Sequence, residues 1–253
     1  MSTASVIGFS TIGTSLINTA IMELLNGYFP NTLLKVPDIL RILRSQYYAE
    51  SSLNYINSIS SRDYGPDALK TLQSYPAVSV VFNTGSKEQQ ANIIKANSAY
   101  GIGQVSGPYI ITGASPNGKG ELYGMNPSLA STLMINPGDD VTSVLWGESN
   151  LHNQILASLI VLDFKYRTLS DRLVSTGQFN SKIAAALGAY LGLGVADSNG
   201  TNARQYAANI LTGDAFNKAN NPFSYAAELS TNNPGGPPKT AASGNNQCML
   251  GCS

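Results

Sequence analysis

The sequence predicts a mainly α-helical domain, and three observations predict it. Apolar residues recur at helical spacing from Val36 into the fifties, residues 150–170 carry a broad apolar face, and residues 182–193 are apolar nearly all round. Against these patterns stands one short strand-like run, Val78-Ser79-Val80-Val81-Phe82, too short to stand without a partner.

Taken in order, the elements begin with an amphipathic helix over residues 15–25, expected to pack on the body or on a partner. The sharper expectation for this segment is transient contact with a membrane. Ser10, Thr11, Asn18 and Glu23 interrupt the apolar run, so it falls short of spanning length. Phe29-Pro30-Asn31 breaks the chain, and Pro37 suits the first turn of the next helix, which should end near Leu53 to Ile56. Asp63-Tyr64-Gly65-Pro66 reads as a turn, and Pro66-Asp67 opens a helix through Leu72. Residues 101–138 are rich in Gly, Pro, Asn and Ser, a loop-rich stretch of the kind that lines something. The apolar helices at 150–170 and 182–193 follow, the second leaving through Gly192 and Gly194, and Asn202 to Leu211 forms another helix. The division expected is an N-terminal apolar and amphipathic segment at 1–31, a helical domain at 32–229 and a Gly/Pro/Asn-rich tail at 230–253, which cannot bury a core.

Composition narrows the chemistry. Fifteen basic residues balance fifteen acidic ones, so neither nucleic acid nor an acidic membrane surface is an expected partner. His152 is the only histidine, which leaves little support for a histidine-rich metal site or a Ser-His-Asp triad; no metal or cofactor is expected. Cys248 and Cys252 both lie in the last six residues, where they can pair with each other, pair with a neighbouring chain, or remain free thiols. The first basic side chain is Lys35, so the positive n-region of a secretory signal is missing and no signal peptide is expected.

Glu50 is the most informative single residue. Stepping back by three, seven and eleven residues gives Tyr47, Leu43 and Ile39, so a helix through this segment puts Glu50 on its apolar side. A desolvated carboxyl holds its proton to higher pH, as a general acid must.

Two later pieces give Glu50-Ser51 a context: Ala99-Tyr100-Gly101-Ile102-Gly103-Gln104-Val105, and Ala189-Tyr190-Leu191-Gly192-Leu193-Gly194 followed by Tyr206. In this order they resemble the lytic transglycosylases of the goose-type lysozyme superfamily, whose pattern is a helix ending in Glu-Ser, a Gly-Leu-Met-Gln-like turn, an Ala-Tyr-Asn-like helix and a distal tyrosine. The resemblance runs from about Val36 to Leu211, with the specificity in the three short motifs; Glu148-Ser149 repeats the first dipeptide elsewhere.

The resemblance implies a lysozyme-like fold and cleavage of the MurNAc-GlcNAc bond of peptidoglycan. Glu50 would act first as acid and then as base, leaving a 1,6-anhydro sugar, a route that needs no second carboxylate because the substrate supplies the nucleophile. Glu121, Asp139, Asp140 and Glu148 are the acids from which a second would have to come. Substrate binding is expected from Ser51, Gly101, Ile102, Gly103, Gln104, Tyr190 and Tyr206. Glycines let the backbone approach a sugar, and the Gln104 amide both donates and accepts. Two departures stand out. Leu191 replaces the usual asparagine, and the interval from Glu50 to Gly101 is long, so that residues 53–98 hold an insertion, expected as a lobe over the cleft.

The expected setting is a phage-encoded protein acting on the virion or at the host periplasm and cell wall, with glycan strands and other virion proteins as partners. The alternatives are a hydrolytic muramidase using the same acid with water, and a structural virion or secretion-apparatus protein that keeps the scaffold without turnover.

Overall fold

The computed structural model describes residues 3–56, 59–60, 65–116, 118–192 and 201–221. The helices in chain order are α1 (Thr3–Tyr28), α2 (Ile39–Ser51), α3 (Gly65–Ser74), α4 (Pro76–Thr84), α5 (Lys87–Ala96), α6 (Glu121–Met125) and α7 (Pro127–Ala130). They continue with α8 (Thr142–Leu145), α9 (Leu151–Thr168), α10 (Ser170–Ser175), α11 (Lys182–Leu191), α12 (Thr201–Leu211) and α13 (Asp214–Asn220). A small antiparallel sheet joins β1 (Ile59–Ser60), β2 (Ala99–Tyr100) and β3 (Val105–Ser106) in that order. Ile59 faces Tyr100 and Ala99 faces Ser106. The mainly α class expected of the sequence is what the fold has.

Burial explains the arrangement. Every residue of α9 from Gln154 to Asp163 is buried, which is how a helix at the centre of a fold is used. Helix α11, buried from Ala184 to Ala189, packs on α9, α10 and α12. Its run of alanines and Gly188 lets neighbours come close: a Cβ on Gly188 would sit 2.4 Å from the Phe179 ring. Helix α2 lies against α1, α12 and α13, burying Ile39, Leu43 and Tyr47, the residues whose spacing marked its apolar side. Each such side chain contributes about 1.5–3 kcal/mol when fully withdrawn from water. Arg41 of α2 stacks over the Phe216 ring of α13, which helps hold the two helices together.

Helix α1 packs on α9 and α2 through Ile17, Ala20, Ile21, Leu24 and Leu25. Among the described residues no helix is long and apolar enough to cross a membrane. His152 meets Glu23 of α1 at 2.9 Å, both largely exposed.

Several local expectations are corrected. Val78 to Phe82 is not a strand but the middle of α4, which Pro76 starts at its first turn. Val78 is fully buried while Val80 is 61% exposed, so residues two apart lie on opposite sides, which a strand with one buried face does not allow. Pro37 precedes α2 rather than opening it, with Asp38 at the N-cap. Helix α2 stops at Ser51, short of Leu53, because Ser52 and Leu53 take left-handed backbone with φ of 55° and 61°. Helix α11 stops at Leu191, with Gly192 at φ 102°. The expected exit at Gly194 lies outside the described residues, as do Asp63 and Tyr64 of the expected turn and the whole tail with Cys248 and Cys252.

The long interval between Glu50 and Gly101 contains β1 and α3 to α5. Ser86 and Gln89 form a reciprocal capping box at the start of α5. These helices brace the loop-rich stretch that follows: Asn92 donates to Gly138 O at 3.0 Å, Lys95 meets Asp140 at 3.1 Å, and Gly113 leaves room for Ala77.

Candidate active site

The end of α2 delivers Glu50 and Ser51 together. Ser51 is buried, and its Oγ lies 3.0 Å from Tyr47 O and 2.9 Å from Ile102 O, so its proton ties the helix end to the turn that follows β2. Glu50 is half-buried, and Tyr206 of α12 donates a short hydrogen bond to its Oε1. Burial of the Tyr206 hydroxyl, followed by the adjacent Glu50 carboxylate, pushes its pKa well above the usual phenol range. The Tyr206 phenol therefore stays protonated and serves as a fixed donor. The Gln46 amide stands beside the same hydroxyl and works against that rise, although neither of its polar atoms has regular hydrogen-bond geometry.

The turn at 101–104 is built on three constraints. Gly101 has φ +75°, and a Cβ there would lie 2.8 Å from both Gln154 and Leu145 O. Gly103 sits where a Cβ would meet Ser158 Cβ at 2.6 Å and Oγ at 2.7 Å. Gln104 adopts left-handed backbone with φ 49°, and its amide donates to Gly101 O at 2.8 Å. Both glycines are thus required by protein packing, which is a different reason from the close approach of a sugar.

Tyr190 of α11 donates to Gly103 O at 2.6 Å, with Ser158 Oγ 3.2 Å away, and lies close enough to Tyr206 to add to the rise in its pKa. The three motifs expected to converge are thereby linked, Glu50 to Tyr206, Tyr206 beside Tyr190, Tyr190 to Gly103, and Ser51 to Ile102.

The expected site residues divide into two groups. Ser51, Gly101, Ile102 and Gly103 are buried, while Glu50, Gln104, Tyr190 and Tyr206 are half-buried. Ile102 is fully buried and both its backbone groups are taken, the N–H by Gln154 and the carbonyl by Ser51, so it anchors the turn. Among the described residues the non-glycine residues with positive φ are Asp38, Ser52, Leu53 and Gln104, and three of these flank Glu50 or end the turn. Such strain persists where packing over-determines it, and candidate active sites are a common place for it.

Two residues of α9 that sequence reasoning did not single out complete the site. Gln154 Oε1 accepts from Ile102 N–H at 2.9 Å, and its Nε2 lies 3.0 Å from Tyr55 O and 2.9 Å from Gly147 O. Ser158 stands between Gly103 and Tyr190, next to the fully buried Tyr47 hydroxyl. Their signal is present in the sequence: a glutamine and a serine four apart on an otherwise apolar helix share one side, and buried polar groups need partners.

The four other acids are engaged elsewhere or exposed. Asp139 Oδ2 accepts from Asn136 N–H at 2.9 Å, and Asp140 takes both Lys95 and Thr142 N–H. Glu121 is half-buried, and burial pushes its pKa up against the opposing pull of Lys165. Glu148 is exposed, close enough to Tyr55 to raise that phenol's pKa further beyond the effect of burial. Among the described residues no group of three His, Cys, Asp or Glu side chains is placed to hold a metal ion.

What the geometry defines is a half-buried carboxyl with a permanent phenol donor, beside a rigid glycine turn. No protein-family profile, curated protein or solved structure matches the chain.

Proposed function

We propose that the chain is a lytic transglycosylase with a lysozyme-like helical domain, cleaving the MurNAc-GlcNAc bond of peptidoglycan. The observation that carries this reading is the convergence of Glu50 with Tyr206, Tyr190 and the Gly101–Gln104 turn, where the half-exposed groups are those that would face a glycan.

In this reading the Glu50 carboxyl donates its proton to the bridging oxygen as the C1–O bond breaks, and the GlcNAc hydroxyl departs. The resulting carboxylate takes the proton of the MurNAc 6-hydroxyl while that oxygen bonds to C1, so acid and base are one residue and the product is the 1,6-anhydro sugar. Tyr206 stabilises the carboxylate between the steps by donating to it. Gln104 and Tyr190 orient the sugar. The setting that goes with this reading is a phage virion or the host cell wall.

Digestion of purified peptidoglycan followed by mass spectrometry tests the reaction. Anhydro ends are expected; reducing ends alone would replace the transglycosylase with a hydrolytic muramidase that uses the same acid. Zymography of wild type beside Glu50→Gln tests the residue, with clearing expected from the first and not from the second. If neither protein clears the gel, a structural role on the same scaffold takes over; if both clear it equally, Glu50 is not the acid.

A further inference from the structure

An open hollow of about 560 Å³ lies where the chain leaves α1, between the α6–α7 joint and the last turns of α9. That volume is in the usual range for ligand sites, ~300–1,000 Å³. None of the Glu50 site residues lines it; Phe29, Thr32, Met125, Asn126, Asp163 and Arg167 do.

Its polar groups form a pattern. Asp163 is 4% exposed, and its Oδ2 accepts from Arg167 Nε at 2.7 Å, while its Oδ1 is buried without a hydrogen-bond partner among the described residues. Among the described residues that single contact holds the guanidinium by its Nε edge and leaves the Nη edge of the 43% exposed Arg167 side chain available as a two-pronged donor. The Thr32 hydroxyl is buried and likewise unpartnered among the described residues. Asn126 uses its side-chain carbonyl to cap α7, accepting from Leu129 N–H at 3.2 Å. Phe29 and Met125 supply an apolar wall.

A complementary ligand needs a planar anion for the guanidinium fork, a nearby N–H for the unpartnered Asp163 oxygen, and a small apolar body. The carboxyl-terminal residue of a peptide has all three on adjacent atoms. We propose that this hollow binds a peptide's carboxyl terminus, with the carboxylate on Arg167 and the last amide N–H directed to Asp163. The same chemistry is offered by a cell-wall peptide ending in D-residues and by a protein terminus ending in L-residues.

Calorimetric titration of the full chain with acetyl-D-Ala-D-Ala and acetyl-L-Ala-L-Ala, each as free acid and as carboxamide, tests the site. Binding of at least one acid is expected, with its amide at least about tenfold weaker, since a charge-assisted hydrogen bond is lost. Preference for the D-form identifies a wall peptide as the source, and preference for the L-form a protein terminus. Arg167→Gln and Arg167→Lys, each shown by circular dichroism to be folded at the titration temperature, should both lose binding, the lysine because it lacks the fork. Equal affinity for acid and amide, undiminished binding by both variants, or no binding of either acid at millimolar concentration would overturn the assignment. The readout is binding rather than turnover, so its failure leaves the Glu50 reading untouched, and failure of that reading leaves this one standing.

Discussion

Tyr206 of α12 donates its hydroxyl hydrogen to Glu50 of α2 across 156 positions of sequence, and burial keeps that hydroxyl protonated. The carboxyl at the centre of the candidate site thus has a partner that does not titrate with it. Tyr206→Phe removes the donor while keeping the ring. Losing one hydrogen bond to a charged group costs about 1.5–3 kcal/mol, so on the proposed reading wall-clearing rates should fall roughly 10- to 100-fold. A rate within a factor of two of wild type would show that Glu50 works without this phenol.

Gly103 is predicted to be intolerant of the smallest side chain. Alanine would place its Cβ 2.6 Å from Ser158 Cβ and 3.2 Å from the Tyr190 hydroxyl, forcing α9 and α11 apart at the turn. Overpacking of this kind costs about 1–3 kcal/mol. Chemical denaturation of Gly103→Ala should show that loss, and pairing it with Ser158→Gly should recover part of it.

The proposed one-carboxylate mechanism makes a prediction about Glu148. This residue lies near Tyr55, whose carbonyl shares Gln154 with the turn, which makes it the acid to test as a second carboxylate. Glu148→Gln should retain turnover within about threefold, well inside the roughly 10²–10⁴-fold loss that follows removal of a general acid or base. A loss as large as that of Glu50→Gln would mean two carboxyls are at work.

Two acids should give stability opposite dependences on pH. Burial raises the Glu121 pKa in spite of Lys165, so folding favours its protonated form. Its contribution is fully present below the unfolded value of about 4.3 and is lost as pH rises through the folded value. Glu121→Gln should therefore raise the melting temperature at pH 7 and change it little near pH 4. At Asp140, burial pushes the pKa up, but hydrogen bonds from Thr142 and the Lys95 pair outweigh it and the net shift is downward. Its contribution is present above the unfolded value of about 3.9 and fades as pH falls through the folded value. Asp140→Asn should destabilise at pH 7, by no more than about 1 kcal/mol for so exposed a pair, and lose its effect in strong acid. Thermal melts of both variants across pH 2–8 check the two signs.

The helical class and the buried side of α2 were legible because Ile39, Leu43 and Tyr47 recur at helical spacing and nothing nearby competes with that pattern. Residues 78–82 were not, since five mostly apolar residues carry no period of their own, and Pro76 together with the packing around Val78 decided for helix. At the site, sequence pointed to Glu50 and to the turn, yet it assigned the glycines to a ligand where the structure assigns them to Gln154, Ser158 and Tyr190. Those contacts join residues 53 to 87 positions apart, from Gly101 with Gln154 to Gly103 with Tyr190, and no local pattern encodes which distant side chain will fill a missing Cβ.

Gln154 has a mechanical consequence. Its one amide fastens Tyr55, Ile102 and Gly147 to the central helix, and so works as a reversible cross-link closing long loops of chain. While it holds, Tyr55, Ile102 and Gly147 keep their places against α9. On the proposed reading, a glycan strand would therefore meet a turn already fixed at Ile102, not one that has to be assembled around it.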